Sequence, residues 1–217
     1  MKKIVLRILL VIGVIILVPF LNLAVVNITA SRISEGVPIP SGSDQTALLV
    51  IDIQEGTTGD VSVTESYKNQ SEELIRNINL ITGEARRRNW SVIFIRSEVV
   101  NPLLNLLNNT LARGSGGAEL DKRLTVDSGI VVTKRKSDSF NNTELDQVLR
   151  EHSVGRLVLV GLDAGHCVLS TVQAAQNRDY RVSVIREAVI ARTDAEKTEA
   201  LNRFRSMGVE VVNLDSY

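Results

Sequence analysis

Three side chains in this sequence have the chemistry of a nucleophilic site: Asp52, Lys134 and Cys167. A thiol at the start of a helix faces unpaired N–H groups and the positive end of the dipole, which favours the reactive thiolate. A carboxylate can take a proton from it, and an ammonium can steady the negative charge that develops on attack. Each residue also has an ordinary reading. A lone cysteine is a small hydrophobe, Lys134 in the run Lys-Arg-Lys fits a solvated surface, and Asp52 fits a turn cap. What separates the readings is whether the fold brings the three together.

The elements that would do so follow from the hydrophobic pattern. Ala47–Ile53 is a nearly continuous apolar run, as expected of a strand buried on both faces. Further strands are predicted at Ser91–Arg96, Ile130–Thr133, Arg156–Leu162, Arg181–Ile185 and Val209–Val212. Between them lie segments of helical period: Ser71–Arg88 with Ser71 as N-cap, a short helix in Asn101–Leu111 opening at Pro102, Thr143–His152 and Cys167–Arg178. A last helix opens at the capping box Thr193-Asp194-Ala195-Glu196. Strands alternating with helices predict an α/β fold: a three-layer, doubly wound, Rossmann-like sheet of about six mainly parallel strands. Function in such sheets lies beyond the C-terminal strand ends. Asp52 closes the first strand, Lys134 follows the third, and Cys167 opens the helix after the fourth, so all three meet that test.

The two histidines do not offer a better base. His152 lies at the opposite end of the fourth strand from Cys167, roughly 20 Å away at about 3.3 Å per residue. His166 adjoins Cys167 in sequence, where side chains diverge, and is expected to line a pocket or pack. Gln54, Arg96, Glu98 and Phe140 are further candidates for pocket walls. One cysteine excludes an intramolecular disulfide framework, and one cysteine with two histidines leaves little for a Cys- or His-built metal centre. The 25 basic residues balance 25 acidic ones, and aromatics make up 4%, which argues against a nucleic-acid-binding surface.

That neutrality conceals two parts. Residues 1–30 contain Lys2, Lys3 and Arg7 and no acid, so residues 31–217 carry 22 basic against 25 acidic residues. From Ile8 to Val26 only Asn22 interrupts a run of apolar residues, Gly and Pro. At about 1.5 Å per residue this run matches a bilayer's hydrocarbon thickness. Residues 1–30 are therefore expected to form an N-terminal transmembrane anchor, with a cleaved secretory signal as the rival. In both readings the basic end stays in the cytoplasm and the rest is extracytoplasmic. Residues 31–45, rich in Ser, Gly and Pro, read as a linker, and residues 46–217 as the globular domain.

Three segments carry a family resemblance. ALLVIDIQ, VTKRKSDSF and LVLVGLDAGHCVLSTVQAA resemble, in order and spacing, motifs of the isochorismatase-like cysteine hydrolase superfamily, which includes nicotinamidase-related amidases. The resemblance spans about residues 46–213. It implies a catalytic triad of Asp52, Lys134 (selected over Lys136 by a Phe six positions on, Phe140) and nucleophilic Cys167. It further implies a cis peptide between Leu162 and Asp163, with backbone N–H groups of Asp163 and Cys167 as oxyanion hole. Gln54, Phe140 and His166 become the expected substrate-binding residues, and the substrate a small amide or carbamoyl compound. Relatives usually form dimers or tetramers, so a homo-oligomer is a possible assembly. Asp163 departs from the Ala often found there, which places a carboxylate beside the oxyanion site. The nicotinamidase branch also binds a metal through an Asp and several His after the second strand; Ser97–Gly117 contains no His, so neither metal nor cofactor is expected. Two other readings stand beside the amidase: a vinyl-ether hydrolase of the isochorismatase type, in which the cysteine need not be a nucleophile, and a membrane-tethered binding protein without turnover.

Overall fold

In the computed structural model, which describes residues 13, 17–26, 28–127 and 129–216, the apolar run after residue 46 forms the centre of a sheet. Strand β1 (Gln45–Ile51) sends Ala47, Leu49 and Ile51 to one face and Leu48 and Val50 to the other, all at most 1% exposed. A strand apolar on both faces is stable only where helices cover both. The sheet supplies that setting. With β2 (Ser91–Ser97), β3 (Ile130–Lys134), β4 (Val154–Gly161), β5 (Arg181–Val189) and β6 (Glu210–Val212), it is parallel throughout, in the order β3-β2-β1-β4-β5-β6. The order reverses between β1 and β4, which opens a crevice at their C-terminal ends.

Helix α1 (Glu65–Arg87) lays Leu74, Ile75, Ile78 and Ile81 over the Leu48 and Val50 face. Helix α2 (Pro102–Leu107) is a short surface helix after β2, capped by the Asn101 side chain, which accepts from the N–H of Leu103. The opposite face is covered by α3 (Leu145–Glu151), α4 (Leu169–Gln176) and α5 (Asp194–Ser206) through Leu149, Val172, Ala175, Leu201 and Phe204. The expected three layers are present, and Thr193 caps α5 by accepting from the N–H of Glu196.

Three boundaries differ for identifiable reasons. Helix α1 starts six residues before Ser71, which is buried within it and donates to the Lys68 carbonyl (2.8 Å). A serine that bonds the preceding turn sits inside a helix as readily as at its start. Strand β5 continues past Ile185, because an irregularity opposite Leu159–Gly161 lets Arg186 face solvent while Ala188 and Val189 return to the core. Cys167 does not open an α-helix. It lies in a π-helical turn, Ala164–Val168, that leads into α4.

The segment expected to be a spacer is instead a strap. Its Ser34 and Glu35 carbonyls accept from Arg178, the Ser34 N–H donates to Asp138 (2.8 Å), and Ile33 and Ile39 pack on the core. Arg178, 3% exposed, also grips Asp146 through two bonds (2.8 and 3.0 Å) and lies 4.5 Å over the Phe140 ring. Ser, Gly and Pro removed periodicity from this segment without removing its carbonyls, and a buried guanidinium with five donors needs such acceptors. Of the first thirty residues, the described ones are helical. Among the described residues no helix is long and apolar enough to cross a membrane, and much of the apolar run on which the anchor was expected lies outside them.

Arg178→Ala should lower stability by about 1.5–3 kcal/mol, the usual effect of losing hydrogen bonds made by a buried charged group, since Asp146 keeps 32% of its side chain exposed. Urea unfolding measures it, and limited proteolysis should show cleavage within residues 31–45 well before the domain is cut.

Candidate active site

The crevice between β1 and β4 is shaped by a glycine. Gly161 has φ 117°, and a Cβ there would lie 2.1 Å from the Ile51 carbonyl oxygen, so only Gly lets the two strand ends close up. The Ile51 carbonyl then accepts from the N–H of Leu162 at 3.0 Å. One residue beyond β1, Asp52 takes a left-handed conformation (φ 57°), with its carbonyl accepting from the Thr57 hydroxyl (2.6 Å). The turn directs its carboxylate across the crevice and not along the strand.

Lys134 ends β3, two strands from β1. Adjacent strands are about 4.8 Å apart, so the backbone gap is roughly 10 Å, a span suited to a long four-carbon stem. The stem is buried, with the residue 1% exposed. Its Nζ donates to Asp52 Oδ2 (2.8 Å), to Cys167 Sγ (3.2 Å) and to the Lys136 carbonyl (3.2 Å). Three N–H donors thus meet three acceptors. The second Asp52 oxygen, Oδ1, accepts from the Ser97 hydroxyl (2.8 Å). Ser97 ends β2 between the other two strands; the rule that selected Asp52, a polar residue at a strand's C-terminal end, would have found it.

The charges settle on one arrangement. Burial disfavours the Lys134 charge, but Asp52 and Cys167 outweigh it and raise the ammonium above the ordinary lysine range. Burial pushes the Cys167 thiol up, Lys134 draws it down and the Asp52 carboxylate pushes it up again, leaving it at about 12. The thiolate expected from a helix start is therefore not the resting form. A neutral thiol that accepts from Lys134 Nζ and lies in the field of the Asp52 carboxylate replaces it.

The other expected site residues divide. The peptide between Leu162 and Asp163 is cis. The Asp163 carboxylate turns away from Cys167: it accepts from the Tyr67 hydroxyl (2.8 Å) and from the N–H of Gly165 (2.8 Å), capping the π-helical turn. Burial and this carboxylate raise the Tyr67 hydroxyl, which keeps it a donor. Gln54 is not a pocket wall. It is fully buried, donates to the carbonyls of Ser97 (3.0 Å) and Ala118 (2.7 Å), and accepts from the N–H of Ser97 (2.7 Å). Its amide is used up holding the backbone of Ser97. Phe140 is in the core, 3% exposed between Arg178 and Tyr180. His166 is exposed, with Nδ1 3.7 Å from Asp163, and does not line the cavity over Cys167. Arg96 is held by Thr133 and Glu119, whereas Glu98 does line that cavity.

Glu98 is the one carboxylate in the segment 97–117, and it faces Arg96 (3.7 Å) and Arg113 (3.5 Å). Among the described residues no cluster of three potential ligands occurs.

Comparison with known proteins fits this architecture. Residues 46–216 match the family model of the isochorismatase domain. The chain belongs to the isochorismatase family. Among its relatives, the ureidoacrylate amidohydrolase RutB of Pantoea ananatis is 27% identical over 66% of this chain and 68% of its own length. A protein of Arabidopsis thaliana named a "probable inactive nicotinamidase" is 27% identical over 79% of this chain and 94% of its own. The N-carbamoylsarcosine amidase of Thermoplasma acidophilum superposes with a TM-score of 0.67 at 25% identity, covering 79% of this chain and 97% of that one. Isochorismatase-family relatives of this kind are hydrolases of C–N amide bonds, although one bears a name that marks it inactive.

Alkylation of Cys167 by iodoacetamide should be slow at neutral pH and rise about tenfold per pH unit well into the alkaline range, because the thiolate fraction grows that way below a raised pKa. Asp52→Asn removes the charge that opposes ionisation, so alkylation at pH 8 should become faster. A plateau below pH 8 in the wild-type profile would contradict the neutral resting thiol.

Proposed function

We propose that this isochorismatase-family protein is a cysteine hydrolase that cleaves the C–N bond of an amide or carbamoyl compound through a thioester on Cys167. The observation that carries the proposal is the buried cluster in which Lys134 Nζ lies 2.8 Å from Asp52 and 3.2 Å from Cys167 Sγ. In the first step Asp52 takes the thiol proton as Sγ bonds to the carbonyl carbon, and the carbonyl π electrons move to oxygen. The backbone N–H groups of Asp163 and Cys167, the oxyanion hole that the family resemblance implies, stabilise that oxygen as an oxyanion. Collapse breaks the C–N bond, and the leaving nitrogen takes the proton from Asp52 and departs as ammonia or an amine. Water then gives a proton to Asp52 and attacks the thioester, and breakage of the C–S bond returns that proton to sulfur. Lys134 stays protonated throughout, holding Asp52 and Sγ in reach of one another and balancing the charge that passes between them. Asp163 does not oppose the oxyanion, since its carboxylate is engaged by Tyr67 and Gly165.

The reading includes a location. The apolar run from Ile8 to Val26, preceded by Lys2, Lys3 and Arg7, supports a membrane anchor with the hydrolase domain on the extracytoplasmic side. The substrate is then a small amide met outside the cytoplasm.

The test is ammonia release by the full chain in detergent from a panel of primary amides and ureides. Cys167→Ala should abolish turnover by about 10^3-fold or more, and Lys134→Met should reduce kcat by about 10^2–10^3-fold. With Asp52→Asn, mass spectrometry of the intact protein should find little acyl group on Cys167. Full turnover in Cys167→Ala would overturn the thioester route.

A further inference from the structure

The cavity above Cys167 is walled by three parts of the chain: the N-terminal segment, the stretch around α2, and the polar loop after Lys134 that holds Arg135, Lys136, Asn141 and Asn142. Val26 and Ala30 of the N-terminal segment form one side; Val99, Leu104 and Leu111, around α2, form another. Cys167 and Lys134 line its base, and its volume is about 690 Å³. A cavity of this size holds a drug-sized ligand, whereas the amide group that reacts at Cys167 fills only a small part of it. The apolar remainder has no polar role in the mechanism.

The N-terminal wall is fastened to the site. The Thr29 carbonyl accepts from Lys136 Nζ (2.9 Å) and the Ala30 carbonyl accepts from the N–H of Ser137 (3.2 Å). Both donors lie in the loop that follows Lys134, and a cation at the carbonyl end of a helix is favoured by its dipole. Further up, Asn22 Oδ1 accepts from Asn101 Nδ2 (2.8 Å), the residue that caps α2. Residues 22–26 and 28–30 are thus tied to the walls of the cavity through Asn22 at one end and Thr29 and Ala30 at the other. They lie outside the matched family domain, which begins at residue 46.

We infer that this cavity receives an apolar arm of the substrate, so that the substrate class is an amide with an aliphatic or aryl substituent, and that the N-terminal segment determines specificity by walling that arm. The inference rests on the hydrolase reading for the word substrate, but not for the cavity itself. Burying each methylene in an apolar site favours association about fourfold.

The experiment uses the full chain in lipid nanodiscs and a thiol reaction that needs no turnover. Cys167 is alkylated by iodoacetamide and its N-butyl and N-octyl derivatives, each rate being divided by that of the same reagent with a small free thiol. The normalised rate should climb about fourfold per methylene until the cavity is full. Val26→Arg, from the N-terminal wall, and Leu104→Arg, from the opposite wall, should each cut the octyl-to-unsubstituted ratio at least tenfold. A flat series overturns the inference. So does a rising series that both variants leave intact, since that is what partition of the reagents into lipid would produce. Should either variant fail to fold, the other carries the test from its own wall. A panel of amides that shows no ammonia release would defeat the hydrolase reading while the alkylation series still reported on the cavity.

Discussion

A lysine ammonium with almost no access to water sits at the centre of this molecule, and much of the local structure exists to satisfy it. Lys134 Nζ has three N–H groups and three acceptors: Asp52, Cys167 and the Lys136 carbonyl. A buried charge is tolerated only when it is paired and its hydrogen bonds are complete. Removing any one acceptor would leave a donor stranded in the core. The same cluster bears on the thiol: burial and the Asp52 carboxylate push the Cys167 thiol up while Lys134 draws it down.

The sheet order makes that cluster possible. Asp52 and Cys167 come from the two strands that flank the crevice, and Lys134 reaches in from two strands away. Each is then fixed by a layer of contacts without reactive atoms. Gln54 clamps the backbone of Ser97, and the Ser97 hydroxyl holds Asp52. On the other side, Thr171 donates to the Cys167 carbonyl (2.8 Å) and is itself bonded to Ser139 (2.8 Å). Tyr67 draws the Asp163 carboxylate toward α1 and so leaves the space next to Sγ free of a second negative group.

Much of this was legible in one dimension. Two-sided apolar strands and amphipathic helices impose a parallel layered sheet, and that sheet imposes a reactive edge on which Asp52, Lys134 and Cys167 all fall. The assigned roles of Gln54, Phe140 and His166 did not survive because a motif records that a residue is required without recording which way it faces. Gln54 and Phe140 lie near Asp52 and Lys134 in sequence and turn into the core; His166 precedes Cys167 and turns to solvent. Residues 31–45 misled in another way, since their composition describes the freedom of the isolated segment and says nothing of the buried Arg178 that captures its carbonyls.

Pattern and residue type by themselves determined the fold class and the sheet edge at which Asp52, Lys134 and Cys167 lie, because hydrophobic period and functional-group type are local properties. Only the tertiary structure decided the direction in which the thiol is pushed, the direction of the Asp163 carboxylate, and the joining of Asn22, Thr29 and Ala30 to the cavity wall. Those depend on which charges and surfaces meet across distances that sequence does not encode. The single cysteine shows the division most plainly: its position in the chain points to a thiolate, and its surroundings hold it as a thiol beside the Asp52 carboxylate.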